Sequence, residues 1–178
     1  CFTTLIEPGD EVLICVGGYF GDRMAQMVER HGGKLVRIEG EWGIPFSASQ
    51  VKQALDNCNA SLVGIVHTET STGVEQPVED IARIVHEHGG LLIVDTVASL
   101  GGTNIPVDSW EIDICYSGSQ KCLSAPPGIA PVTMNERARD RILGRKTPID
   151  SWYLDMGLLM KYWGSERSYH PTAPVSSI

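Results

Sequence analysis

The stretch Gly89-Gly90-Leu91-Leu92-Ile93-Val94-Asp95 decides the fold. Its apolar run, Leu91–Val94, is bounded by a glycine pair and a carboxylate and reads as a short strand buried on both faces. Strands of this kind belong to parallel sheets covered by helices on either side, whereas a half-exposed strand alternates apolar and polar residues. The segment before it agrees. Pro77–His88 puts Val78, Ile81, Ala82 and Val85 on one helical face. Pro77 suits a first turn, and Gly89-Gly90 closes the end.

The same alternation continues outward in both directions. Upstream, Pro8-Gly9-Asp10 is a turn, Glu11–Val16 a strand, Arg23–His31 a helix and Lys34–Ile38 a strand. Gly17-Gly18 breaks the first strand, and Gly32-Gly33 ends the helix. Ser47–Leu55 is a helix with Ser47 as N-cap and Gln50 at capping-box spacing. Ser61–Val66 is a strand leading into a polar loop, His67–Gly73. Downstream, Ile112–Tyr116 and Ile129–Met134 read as strands and Arg137–Leu143 as a short helix. Beyond Thr147 the pattern turns irregular and aromatic-rich, with Trp152, Tyr153, Tyr162, Trp163 and Tyr169. No repeat or linker interrupts the chain. Alternating β and α units predict one three-layer α/β/α domain over residues 1–178, with a mainly parallel sheet.

Composition narrows the class. The 178 residues are 42% hydrophobic and 20% charged, as in an ordinary globular domain with its own core. A formal charge of −8 with no basic stripe argues against nucleic acid as a partner. No apolar run approaches the roughly 18 residues of a membrane span. Cys1, Cys15, Cys58, Cys115 and Cys122 form no CxxC pair and no regular framework, which suggests reduced thiols and an intracellular setting. The chain begins at Cys1 in what reads as the last turns of a helix, so the sequence is expected to be a piece of a longer protein.

Chemistry enters at the strand ends. In an open α/β sheet, ligands bind outside the carboxyl ends of the strands. Asp95 ends one apolar strand, and Lys121 lies five residues past Tyr116, the end of another. One amine and one carboxylate at a shared rim suit pyridoxal phosphate. The lysine condenses with the aldehyde, and the carboxylate pairs with the pyridine nitrogen. A lysine after a turn is otherwise a solvated loop residue, and an aspartate after a strand is otherwise a helix cap or turn former. Three further features sit beside the pair. Gly17-Gly18-Tyr19-Phe20-Gly21 presents an aromatic ring in a glycine loop. His67–Gly73 gathers hydroxyls, a carboxylate and an imidazole. Pro126-Pro127-Gly128 would fix where Lys121 points.

The runs HTETSTG (67–73), VDTVASLGG (94–102) and YSGSQKCLSAPPG (116–128) resemble the class V aminotransferases in order and separation. The nearest branch is that of the alanine–glyoxylate and serine–pyruvate aminotransferases. The resemblance extends to EPGDEVLI upstream and to RKTPIDSWYLD and YHPT downstream, essentially the whole chain. It implies the large domain of a fold-type I enzyme dependent on pyridoxal 5'-phosphate. The amino group of a small amino acid, alanine or serine, would pass to glyoxylate or another 2-oxo acid. It also implies roles. Lys121 matches the Schiff-base lysine and Asp95 the partner of the pyridine nitrogen. Phe20 and Val97 match the residues on the two ring faces. Thr70 matches the hydroxyl near the phenolic oxygen, and Gln120 a donor on the phosphate side. Tyr169 and Thr172 match residues that reach the phosphate of a neighbouring subunit, which implies a homodimer with a shared site. An intracellular location follows from the resemblance, cytoplasmic in a bacterium and peroxisomal or mitochondrial in a eukaryote.

Phe20 stands where this branch commonly has Trp, and Thr70 where Ser is frequent. The family's phosphate-binding helix N-terminus and its substrate-carboxylate arginine have no counterpart in these residues. His67 is expected to be structural or adjacent to the ring. Lys121 is expected in a dry setting that lowers its amine pKa, and Cys122 is expected to be packed. A cysteine desulfurase would need a mobile nucleophilic cysteine, and the stacking position there is typically His. A 2-aminoethylphosphonate transaminase and a non-catalytic fragment are the other readings.

Overall fold

The computed structural model describes residues 1–172. Its first half runs α1 (Phe2–Leu5), β1 (Glu11–Val16), α2 (Tyr19–Arg30), β2 (Lys34–Glu39), α3 (Ala48–Leu55), β3 (Leu62–Val66), β4 (Thr68–Glu69) and β5 (Val74–Glu75). The second half runs α4 (Val78–Glu87), β6 (Leu91–Asp95), β7 (Ile114–Tyr116), β8 (Val132–Met134), α5 (Glu136–Leu143) and α6 (Met156–Trp163). Six strands form one sheet in the order β2-β1-β3-β6-β7-β8. All neighbours are parallel except β8, which runs antiparallel to β7.

The period-two alternation of each strand divides the core between two faces. On one face Val12, Ile14, Val16, Ile93 and Ile114 pack against Met24, Ala25 and Val28 of α2 and against α1, α5 and Met156 of α6. On the other, Leu13, Cys15, Val63, Ile65, Leu92 and Val94 pack against Val51 and Leu55 of α3 and the apolar stripe of α4. The predicted three-layer α/β/α arrangement is therefore present, and β6 is buried along its whole length. Cys15 lies deep enough that burial pushes its thiol up to about 12, which leaves it inert at neutral pH.

Local signals were read correctly where they are local. Ser47 accepts from the Gln50 N–H, and Gln50 Oε1 accepts from the Ser47 N–H, completing the capping box. Three element starts differ by two residues or more from the sequence reading, and α6 and the β4–β5 pair were not foreseen. Helix α2 begins at Tyr19, not Arg23, so Phe20 lies in its first turn. Strands β7 and β8 begin at Ile114 and Val132, later than Ile112 and Ile129. The supposedly irregular tail holds α6, capped by Asp155 Oδ1, which accepts from the Leu158 N–H at 3.1 Å. The polar loop 67–73 carries β4, which pairs antiparallel with β5 just beyond it.

The first residues are stitched to a segment roughly 140 positions away. Arg141 donates to the Leu5 carbonyl at 2.9 Å and to Asp10 at 2.6 Å. Arg145 donates to the Thr4 and Ile6 carbonyls at 2.8 and 2.6 Å. Glu7 accepts from the Lys146 and Thr147 N–H groups and from the Thr147 hydroxyl. These arginines satisfy carbonyls at the end of α1 that have no helical partner.

Candidate active site

The parallel strands β1, β3, β6 and β7 end at one rim, at Val16, Val66, Asp95 and Tyr116. The chain passes from β1 to β2 on one side and returns to β3 on the other, so the strand order reverses between β1 and β3. A crevice at such a reversal is where open α/β sheets bind ligands. The four loops leaving this rim are tied to one another. His67 N–H donates to the Asp95 carbonyl at 2.8 Å, and Thr96 N–H to the Tyr116 carbonyl at 2.9 Å. Cys122 Sγ donates to the Ala98 carbonyl at 3.3 Å, so the loop carrying Lys121 abuts the loop that follows Asp95.

Asp95 is 8% exposed. Its Oδ1 accepts from the Val97 N–H at 2.8 Å and its Oδ2 from the Tyr116 hydroxyl at 2.9 Å. Burial raises the carboxyl pKa above the ordinary range. The two hydrogen bonds and the nearby Arg23 charge act the other way, while the Glu69 charge adds to the rise. Burial, together with the Asp95 charge, also raises the Tyr116 phenol, which keeps it a donor. A carboxylate offers about four acceptor positions. The two occupied here leave room for a further N–H, and a cationic one would offset the cost of burial.

Phe20 is half-buried, packed partly against the core below α2, and its ring meets Tyr19 edge-on at 5.5 Å. The Arg23 guanidinium lies 5.1 Å from the Phe20 ring centre and 5.2 Å from that of Tyr19. The Phe20 N–H donates to Glu69, one residue before the exposed Thr70, so Phe20 and Thr70 stand on joined loops. Val97 is half-buried next to Asp95.

Lys121 and Gln120 are exposed. The expectation of a dry lysine is not met here, because loop 120–124 lies on the surface with nothing over it among the described residues. Its base is nonetheless fixed. Buried Ser119 donates from Oγ to the Pro126 carbonyl at 2.6 Å and accepts the Ala125 N–H on its own carbonyl. Cys122 is also exposed and not packed as expected, although its thiol is tethered to Ala98.

Tyr169 and Thr172 are not tied to the rim by hydrogen bonds among the described residues. Both are exposed, and their hydroxyls bond each other at 2.7 Å. No hydrogen bond among the described residues joins them to Asp95 or Lys121. His67, expected to be structural or adjacent to the ring, lies buried between the loops after β3 and β6. It is 1% exposed, its Nδ1 pairs with Ser99 Oγ at 2.9 Å, and its ring meets Trp110 edge-on. Tyr116, Glu69 and Arg23 were missed as site residues by sequence reasoning. Tyr116 was legible as a strand end beside Asp95, while the other two act through contacts no local pattern announces.

Comparison with known proteins places this geometry. Residues 1–149 match the family Aminotransferase class-V. The alanine–glyoxylate aminotransferase of Rattus norvegicus is 41% identical over 177 residues, 98% of this chain and 43% of that protein. The (S)-ureidoglycine–glyoxylate transaminase of Bacillus subtilis is 37% identical over 193 residues, 98% of this chain and 46% of that protein. The crystal structure of an alanine–glyoxylate aminotransferase from Nostoc sp. superposes with a TM-score of 0.96 at 47% identity, covering 99% of this chain and 47% of that one. The chain belongs to the class V aminotransferases. Its sheet is that of the fold-type I enzymes, and the family's cofactor is pyridoxal phosphate. The chain spans less than half the length of the curated relatives it matches.

The rim fits the pyridine end of that cofactor. Asp95 has open acceptor positions, and the Phe20 and Val97 loops flank it. The N-terminus of α2, the rim's own helix-dipole site for an anion, is already filled by the Glu69 carboxylate. Phosphate would therefore be held by other groups.

Proposed function

We propose that this chain is the cofactor-binding large-domain part of a pyridoxal-phosphate-dependent aminotransferase. The enzyme moves the amino group of a small amino acid, alanine or serine, to glyoxylate or another 2-oxo acid. The observation that carries the reading is Asp95: a buried carboxylate with a raised pKa and unfilled acceptor positions, at the rim that also presents Lys121.

Pyridoxal phosphate, when bound, would supply an electron-withdrawing ring able to stabilise the electron pair of the substrate Cα–H bond. Asp95 would accept the ring N–H and hold that proton in place, its two oxygens oriented by Val97 and Tyr116. Lys121 would hold the cofactor through Nζ and would serve as general base toward the substrate Cα proton. Phe20 and Val97 would pack on the ring faces, Thr70 would offer its hydroxyl to the phenolic oxygen, and Gln120 would donate on the phosphate side. The protein adds orientation and a preorganised field. The five free thiols support an intracellular setting.

Replacing Lys121 by Ala in the full-length protein should abolish near-visible absorbance from bound pyridoxal phosphate. Borohydride treatment of the wild type should fix the cofactor on the peptide containing Lys121, and label on any other lysine removes the assignment.

Tyr169 and Thr172 act across a homodimer interface in this reading. Their exposure supports it, and among the described residues their hydroxyls bond only each other, which leaves both accessible to a second subunit. Sedimentation with and without pyridoxal phosphate checks this: a monomer that holds cofactor equally well at every protein concentration rules out sharing.

A further inference from the structure

Glu69 is 1% exposed although it sits in a polar loop, and its carboxylate is saturated with donors from two segments. Oε2 accepts the N–H groups of Phe20 and Gly21, both at 3.1 Å. Oε1 accepts the Ser71 N–H at 3.2 Å and the Ser71 hydroxyl at 2.6 Å. Ser71 Oγ in turn accepts the Tyr19 N–H at 2.9 Å. The first three N–H groups of α2, which have no helical partner, are thus all satisfied from the loop after β3. The local N-cap, Gly18, supplies no side chain. A Cβ there would stand 2.5 Å from both Glu69 Cγ and Ser71 Oγ, so the clamp occupies the space a larger residue would need.

We propose that Glu69 is a positioning residue for the cofactor ring: its carboxylate clamp welds the Phe20 ring and the Thr70 hydroxyl into one unit at the strand-order reversal. The proposal rests on the reading that Phe20 and Thr70 meet pyridoxal phosphate. A carboxylate is the fitting group for three reasons. It accepts several N–H bonds at once. It complements the positive end of the α2 dipole. Bonds to an ionised acceptor are also short and strong. Phe20 lies at the second position of the helix, so its ring direction is set wherever its backbone N–H is held. Thr70 stands between the two residues that form the clamp and cannot shift without opening it. The same carboxylate keeps the anion site of α2 closed, which leaves the phosphate to other groups.

The test uses the full-length protein and three variants. Glu69→Gln keeps the shape but turns an N–H donor toward the Phe20 or Gly21 N–H. Ser71→Ala removes one leg, and Gly18→Ala presses on the clamp without altering the carboxylate. In cofactor-free protein, amide exchange at Tyr19, Phe20 and Gly21 should accelerate in Glu69→Gln by at least about ten-fold, the loss of roughly one charge-assisted bond. Pyridoxal phosphate should bind about ten-fold more weakly, with a reduced induced circular-dichroism band. Ser71→Ala should shift both in the same direction by less. If Glu69→Gln fails to fold, the other two variants carry the test. Faster amide exchange with wild-type affinity and an unchanged band would make Glu69 a helix cap only and overturn the proposal. A wild type that binds no pyridoxal phosphate overturns the functional reading itself and this one with it, before any variant is made.

Discussion

Two buried aspartates stand at opposite rims of the sheet and are completed differently. Asp113, immediately before β7, is fully buried and accepts four bonds: His86 Nε2 at 2.8 Å, the Leu92 N–H at 2.7 Å, Asn135 Nδ2 at 2.8 Å and Arg137 at 3.1 Å. Arg137 continues to the Gly90 carbonyl at 2.7 Å. Asp95, at the end of β6, accepts two, and burial holds its pKa up. A saturated carboxylate bolts secondary elements together. A carboxylate kept short of donors at the carboxyl rim retains binding capacity at the expense of its own solvation.

Swapping charge for neutrality at the two sites is the strongest way to break this comparison. Asp95→Asn in the full-length enzyme should cut turnover by orders of magnitude with no loss of thermal stability, since it removes a poorly solvated charge. Turnover close to wild type would make Asp95 structural. Asp113→Ala should do the reverse. It strands His86 and Arg137 and should cost about 3–5 kcal/mol in urea unfolding, with turnover per folded molecule unchanged. Tyr116→Phe is milder. Losing one bond to a charged acceptor is worth roughly 1.5–3 kcal/mol, and it should appear as weaker cofactor binding in titrations and not as a large loss of stability.

The smallest effect is the pH dependence of cofactor-free protein. The folded state binds the Asp95 proton more tightly than the unfolded chain does. Stability from this group is therefore present below the ordinary carboxylate value of 3.8 and is lost as pH rises through the raised folded value. Asp95→Asn should flatten that slope in denaturation scans. His67 has the opposite sense, because burial lowers its pKa. Its stability contribution is full above 6.5 and is lost as pH falls through the lowered value. His67→Gln should remove that second slope and leave the first.

Much of the architecture was legible because its causes are local. The four-residue run before Asp95, the glycine pairs and the Ser47–Gln50 box each carry their own physics. Asp95 and Lys121 were legible as strand-end residues. The start of α2 was not, since its cap is Glu69, nearly fifty positions downstream, and no local Ser, Thr, Asp or Asn marks it. Helix α6 was missed although Asp155 offered a cap, because its aromatic residues masked the helical period. The dryness expected of Lys121 depends on what lies over loop 120–124, and no residue type in that loop encodes it.

The stitching of Arg141, Arg145 and Glu7 across some 140 positions of chain has a consequence for the order of assembly. Closing a loop of that length costs entropy that contacts must recover only after the ends meet. On a ribosome adding about 5–20 residues per second, α1 would wait on the order of ten seconds for the arginines that complete its last carbonyls. The sheet centre, β1-β3-β6, can pair well before then. The carbonyls at the end of α1 would thus be satisfied only after the sheet centre has paired, although Phe2, Leu5 and Ile6 share one core with β1, α2 and β3 and need not wait for the arginines to be covered.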